Sequence, residues 1–426
     1  MSRSPMRFVS IVVMAFGSVI ACAPEAPAPE ETSPSRWLKG NLHTHSFWSD
    51  GDDYPEPILE GYKERGYDFV ALSEHNILAE GERWIDVESH GGVELLERYR
   101  HQFGDEWVET REEDGTLVVR LKTLAEYRTL FEEEERFLVL EGEEITDGFE
   151  AKPVHVNATN LRELITPQGG GSVAEVMQNN VDAVLEQRKR TGRLMFPHIN
   201  HPNFGWAVKV EDLIALEGEK FFEVYNGHPL VHNEGDDLRP STERMWDILL
   251  AERLSQGREV LYGVAVDDSH NYHELDSEHS NPFRGWVMAR AASLTPGAII
   301  EAMERGDFYG SSGVQLDDVR VGNTEISIAI RGEEGVAYTT RFIGTRRGYD
   351  RSTEAVRGDD ASVLYRYSDD IGEILDEVLG NRPSYTFKGD EIYVRAKIVS
   401  SKLKENPYRE GEHESAWVQP VVLHRE

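Results

Sequence analysis

The chain has 426 residues, 39% of them hydrophobic and sixteen of them Phe, enough for one large or two smaller packed cores. Charged residues make up 29%, which argues against disorder. A formal net charge of −33 repels phosphate backbones and excludes duplex nucleic acid as a partner unless a local basic patch exists.

At the N-terminus, Arg3 and Arg7 precede an almost wholly apolar run from Phe8 to Ile20. It is too short for a permanent membrane span and reads as an export signal over residues 1–21. The run ends in Val19-Ile20-Ala21-Cys22, which resembles the bacterial lipobox. That resemblance implies lipidation of Cys22 and a membrane-anchored lipoprotein on the periplasmic side. Ala23 and Pro24 carry no Asp retention signal, so the outer membrane is the expected address. Residues 22–35 are rich in Ala, Pro and Glu and read as a tether. Cys22 is the sole cysteine, so the mature chain has no disulfide, thiol nucleophile or zinc–thiolate site. Any metal must be held by His, Asp and Glu.

From Trp37 onward, candidate strands end at Leu42, Leu72, Gly142, Val156, Phe196, Tyr225 and Val266, and another covers Gly285 to Arg290. Helices are predicted over Pro57–Arg65, Leu124–Phe137 and Val173–Arg190. This alternation predicts an α/β domain of parallel strands over 36–314, with Leu78 to Val119 as an insertion over one mouth. After Gly313 the period changes. Ile326, Ile328 and Ile330 fall on every second position, as do Ile392, Val394 and Ala396, which predicts a smaller antiparallel β-sandwich over 315–426.

Ligand-type residues follow the strands. The first ends in His43-Thr44-His45, whose imidazoles share a face, with Asp50 in the next turn. HxH alone equally describes two loop histidines. The later strands end in Ser73-Glu74-His75, Glu143-Glu144, His155, His198-Ile199-Asn200-His201-Pro202 and Asp267-Asp268-Ser269-His270. C-terminal strand ends converge on one mouth in an α/β barrel, so this repeated placement points to a metal site. Either Glu143 or Glu144, and either His198 or His201, satisfies the pattern. Asn226 and His228 follow the sixth strand and would face the same mouth as substrate contacts or loop-bonding groups. Arg284 would reach a phosphate or carboxylate, or form a surface ion pair. His232, His273, His279, His413 and His424 read as loop residues, and Glu132 to Glu135 as a solvated helix face.

The order HxH, Asp, acidic-His, Gly-x-Glu, His, His-Pro, Asp-x-His resembles the polymerase and histidinol phosphatase (PHP) superfamily. Glu223-Val224-Tyr225-Asn226-Gly227 makes the chain most similar to its secreted carbaryl-hydrolase-type members. The likeness covers about 37 to 315, with a fainter one in the tail. It implies a distorted seven-stranded (β/α)7 TIM-like barrel with two or three divalent ions, Zn, Mn or Fe. It assigns His43, His45, Glu144 and Asp268 to one ion, and Glu144 again with His155 and His201 to a second. Asp50, His75 and His270 go to a third. Glu144, Asp268 and His201 become the residues expected at the reacting centre. The chain departs from the family at Glu74, where Asp is usual, and at Asp50, where some relatives have His.

The expected activity is metal-dependent hydrolysis by a metal-activated hydroxide, with a phosphoesterase acting on small phosphorylated compounds as the first reading. Hydrolysis of a carboxylic ester, amide or carbamate is the second, which Trp48, Phe204 and Trp206 near the motifs would favour. A non-catalytic surface lipoprotein binding metal or carbohydrate is the third. The expected partners are a small-molecule substrate and, through the lipid anchor, a membrane.

Overall fold

In the computed structural model, residues 1, 35–358 and 363–423 are described. The expected export signal, Cys22, nearly all of the tether and His424 lie outside the described residues.

The chain opens with β1 (Arg36–Asn41), α1 (Pro55–Glu64) and β2 (Phe69–His75). Helix α1 starts with Pro in its first turn, and the chain turns away at Gly66 (φ +70°). The expected insertion contains β3 (Arg83–Asp86), α2 (Gly92–Phe103), β4 (Thr110–Glu113) and β5 (Thr116–Leu121), with the strands in a sheet of their own. It packs Ile85, Leu95, Tyr99 and Val119 on α1 and on the loop holding Phe47 and Trp48. Helix α3 (Leu124–Phe131) begins at a Thr123/Glu126 capping box. It stops six residues before the predicted Phe137, so the acidic run from Glu132 lies in a turn and not on a helix face.

Next come β6 (Leu138–Phe149), β7 (Lys152–Thr159), α4 (Val173–Thr191), β8 (Phe196–Ile199), α5 (Val210–Ile214), β9 (Phe221–Asn226), α6 (Thr242–Ser255) and β10 (Tyr262–Val266). Then β11 (Trp286–Ala291), α7 (Pro296–Glu304) and β12 (Phe308–Ser311) lead into the C-terminal strands. These are β13 (Leu316–Val321), β14 (Glu325–Ile330), β15 (Tyr338–Arg346), β16 (Thr353–Arg357) and β17 (Val363–Tyr367). The last are β18 (Glu373–Leu379), β19 (Ser384–Thr386), β20 (Glu391–Leu403) and β21 (His413–Val422).

The fold is mixed α/β around one sheet of thirteen strands, ordered β10-β9-β8-β7-β6-β2-β1-β11-β12-β21-β20-β15-β18. Two expectations need correction. The strands are not all parallel: β7 runs antiparallel to both β6 and β8, because β6 and β7 form a hairpin with no helix between them. Nor is the sheet closed as a seven-stranded barrel. The free edge of β1 is taken along its length by β11, antiparallel from Arg36↔Ala291 to Gly40↔Val287, which leaves no edge for β10. Beyond the strand ends, the segments after β1 and β10 meet at the isolated bridge Thr44↔Ser269. There the Asp268 N–H donates to His43 O (3.1 Å) and the His45 N–H to Ser269 O (3.0 Å).

Both faces of the parallel strands are covered. Along β2, Phe69 and Ala71 pack with Ile299, Ile300 and Met303 of α7, while Val70 and Leu72 pack outward with Ile58 and Leu59 of α1. Past 315 the strands are antiparallel. A smaller sheet, β13-β14-β19, lays Leu316, Ile326, Ile328 and Ile330 against Phe342, Val394, Ala396 and Val418 of the large one. Pro34–Glu426 make one compact unit. No helix among the described residues is long and apolar enough to cross a membrane.

Candidate metal centre

The ends of β1, β2, β8 and β10 and the middle of β6 deliver side chains to one mouth. After β1 the Asn41 amide pins the chain, donating to His43 O (3.0 Å) and Thr44 Oγ1 (2.6 Å), so His43 and His45 turn the same way. Gly51 lets the following turn fold back, since a Cβ there would stand 2.6 Å from His45 O. Glu144 and Glu143 point to opposite faces of β6. Glu143 accepts from the Ile165 N–H at 2.9 Å, away from the mouth. The reversed β7 presents His155 from its N-terminal half, opposite Thr146. Asp268 sits at φ +52°, a left-handed conformation that aims its carboxylate back at His43.

Glu144 is the hub. Its Oε2 lies 3.0 Å from His43 Nε2, 3.1 Å from His45 Nε2 and 3.3 Å from His75 Nδ1. Its Oε1 lies 2.7 Å from His155 Nδ1 and 3.4 Å from His201 Nε2. Asp268 Oδ1 closes the first set, 3.2 Å from His43 Nε2 and 3.5 Å from His45 Nε2. Asp50 Oδ1 lies 3.5 Å from His75 Nε2 and 3.4 Å from His270 Nε2. Among the described residues, His43/His45/Glu144/Asp268, His75/Glu144/His155 and His45/Asp50/His75/His270 each converge closely enough to hold an ion.

The donor set fits divalent metal. First-row dications bind imidazole and carboxylate at about 2.0–2.2 Å, which sets neighbouring donors about 3.0–3.5 Å apart. Moreover, His45 Nε2 is buried without a hydrogen bond, although two carboxylate oxygens stand 3.1 and 3.5 Å away. Groups aimed at a common centre, and not at each other, have that geometry.

Behind the donors lies a layer that the sequence reading left mostly without roles. Glu223 Oε1 meets His43 Nδ1 at 2.7 Å, which holds a proton on Nδ1 and turns Nε2 into the mouth. Its Oε2 accepts from the His201 N–H (2.7 Å) and the Asn226 amide (2.8 Å). His198 backs onto Glu223 at 3.2 Å, so His201 is the residue that faces Glu144. Asn200 donates to Glu144 Oε1 at 2.8 Å. Glu74 accepts from Ser46 and Ser49 at 2.5 Å each, and Ser49 Oγ reaches His45 Nδ1 at 3.3 Å.

Two expected substrate contacts are corrected. Asn226 is fully buried and spends its amide on Glu223 and on Asp268 Oδ2 (3.0 Å), so it orients a donor. Arg284 is fully buried too. Its guanidinium donates to the carbonyls of Gly227 (2.9 Å), His279 (2.6 Å), Asp276 (2.5 Å) and Asn406 (3.3 Å), so it has no face left for an anion. His228 stays half-buried at the mouth, edge-on to His270 and Phe204 with ring centroids 5.6 and 5.9 Å away. Trp48 is buried and bonded to Lys122 O. Phe204 lies 5.1 Å from the His201 ring, and Trp206 points to a neighbouring cavity.

The charges are mutually dependent. Burial alone would raise the Glu144 carboxyl, but the charges of His43, His75 and His155 hold it well below the usual range. Burial lowers His75, yet Glu144 and Asp50 overrule it and raise it to about 9. Burial pushes His228 down to about 4, and its Nδ1 accepts from the Leu230 N–H (3.1 Å), so the neutral ring carries its proton on Nε2. Glu143, without such partners, is pushed up to about 8 by burial.

No family model matches the chain, and no curated protein matches it. Among solved structures it is similar to a two-domain protein from Bacteroides vulgatus ATCC 8482 containing a predicted PHP-like metal-dependent phosphoesterase. That likeness has 15% identity and a TM-score of 0.39, over 93% of this chain and 100% of that one. It is also similar to an amidohydrolase from Chromobacterium violaceum with bound sulfate and no metal, at 13% identity and a TM-score of 0.27, over 55% of this chain and 88% of that one.

Proposed function

We propose that the chain is a metal-dependent hydrolase of the PHP type, acting as a phosphoesterase on small phosphorylated compounds. The observation that carries this reading is Glu144, whose two oxygens face two different histidine sets, with Asp50, His75 and His270 as a third set alongside. Divalent ions held there would supply Lewis-acid charge for the phosphoryl oxygens and make water nucleophilic near neutral pH. Asp268 and Glu144 balance that charge, and Glu223 fixes the tautomer of His43. His228, neutral with its proton on Nε2, supplies a hydrogen bond to the departing oxygen.

Cleavage of a carbonyl substrate is the second reading, favoured by Phe204, whose ring lies against His201 and 6.5 Å from His155. The test pairs aryl phosphate mono- and diesters with an aryl ester and an aryl carbamate, using residues 36–426 loaded with Mn or Zn. Turnover of phosphates alone, lost in His201→Ala, is expected; turnover of carbonyl substrates alone selects the second reading. The lipobox-like Val19–Cys22 supports an exported, lipid-anchored enzyme. Labelled palmitate incorporated by wild type and not by Cys22→Ala would bear this out.

A further inference from the structure

The loop that carries His201 continues as Asn203-Phe204-Gly205-Trp206 and walls a second cavity of about 400 Å³. Its lining includes Lys152, Trp206, Lys209, Arg239, Met245 and Tyr365. That volume is in the range of small-molecule sites, about 300–1,000 Å³. The cavity lies alongside the candidate metal centre, because Lys152 starts the strand bearing His155 and Asn203 is two residues from His201.

Three features point to its ligand. The first is charge. In a chain of net −33, the described residues of the lining carry three cations and one acid, Glu211. Glu211 is engaged by the Tyr367 hydroxyl at 2.9 Å. Among the described residues, neither Lys152 nor Lys209 forms an ion pair, and Lys209 Nζ donates to the Val363 carbonyl at 3.1 Å. Asp212, which stands near both, accepts from the Lys209 N–H at 2.9 Å. Arg239 is paired with Asp236 at 2.6 Å.

The second feature is an aromatic platform. Trp206 stacks on His232 with centroids 4.4 Å apart and planes 9° apart, and the Arg239 guanidinium stands 4.8 Å from its ring. The third is backbone strain. Trp206 is held at φ +54°, where a bulky side chain is a true outlier, so the surrounding loop enforces the placement of this indole.

We propose that this cavity binds an anionic group carried on an aromatic body, with the ring against Trp206 and the anion near Lys152 and Lys209. As the seat of the uncleaved part of the substrate it deepens the hydrolase reading and rests on it; as a binding site it is independent of metal.

The experiment is calorimetric titration of EDTA-treated full-length protein with phenylphosphonate, methylphosphonate and benzyl alcohol. The variants are Trp206→Ala and the double substitution Lys152→Gln/Lys209→Gln, which alters only half-buried side chains. Phenylphosphonate should bind at least about tenfold more tightly than either fragment, and both variants should weaken it about tenfold. Equal binding by wild type and the lysine variant, or phenylphosphonate no tighter than methylphosphonate, overturns the proposal. Intact phenylphosphonate binding in a protein that hydrolyses nothing when metal-loaded overturns the hydrolase reading and leaves the cavity assignment standing.

Discussion

Two of the donor sets around Glu144 differ in how far water reaches them. The side chains of His43, His45, Glu144 and Asp268 are at most 6% exposed, and Glu223 and Asn226 lock them from behind. Asp50, His75 and His270 are 58%, 24% and 16% exposed, and Asp50 sits in a turn. The ligand types are similar, so by depth and backing the first set would retain an ion and the second would exchange it.

The strongest test of that contrast is Asp268→Ala. Turnover should fall at least about 10³-fold, with one equivalent of dialysis-resistant metal lost by elemental analysis. Retention of both would remove Asp268 from the inner set. Next is Glu223→Gln, which should weaken metal affinity about 10–100-fold in competition with a chromophoric chelator while the fold persists by circular dichroism. An unchanged affinity would reduce Glu223 to a packing residue. Asp50→Asn should cost about tenfold in turnover, restored by added Mn or Zn, with the inner metal undisturbed. If dialysis then also stripped the inner ion, the two sets would not be separable.

The smallest effect is on pH. His75 is raised to about 9, so in metal-free protein its charge contributes stability that is full below about 6.5 and lost as pH rises through 9. The melting temperature of chelated protein should therefore decline from pH 6.5 to 9.5, and the metal-loaded form should lack that decline, since bound metal displaces the proton. Coincident profiles would show that neither His75 nor the other raised imidazoles, His43, His201 and His270, binds metal.

Much of the mouth was legible because parallel strands bring their ligands to one end. HxH, His75, Glu144, His201 and Asp268 all follow apolar runs, and alternation along β6 separates Glu144 from Glu143. The reversal of β7 was less visible, yet it had a signal. Thirteen residues separate the strand ends at Gly142 and Val156, and once about five are given to the second strand about eight remain, short of the dozen or more, usually helical, that a parallel crossover needs, so a hairpin was the simpler choice. Glu223, Asn226 and Arg284 could not be assigned from a single chain. Glu223 acts through His43, Asn226 through Asp268 and Arg284 in part through Gly227 and Asn406, all far away in sequence, and an Arg consumed by carbonyls reads the same as one facing a phosphate. The pairing of β11 with β1, which leaves the arc open, depends on competition between edges that local periodicity does not encode.

The shared sheet has a consequence for how this protein can be divided. Strand β12 is flanked on one side by β11 and on the other by β21, which arrives from the far end of the chain. A gene fragment stopping at residue 314 would strip that partner and bare a row of unpaired amides and carbonyls, a template for intermolecular strand addition. The 112 residues beyond 314 thus act as a built-in guard against polymerisation, and a fragment made by truncation there should be recovered as insoluble aggregate.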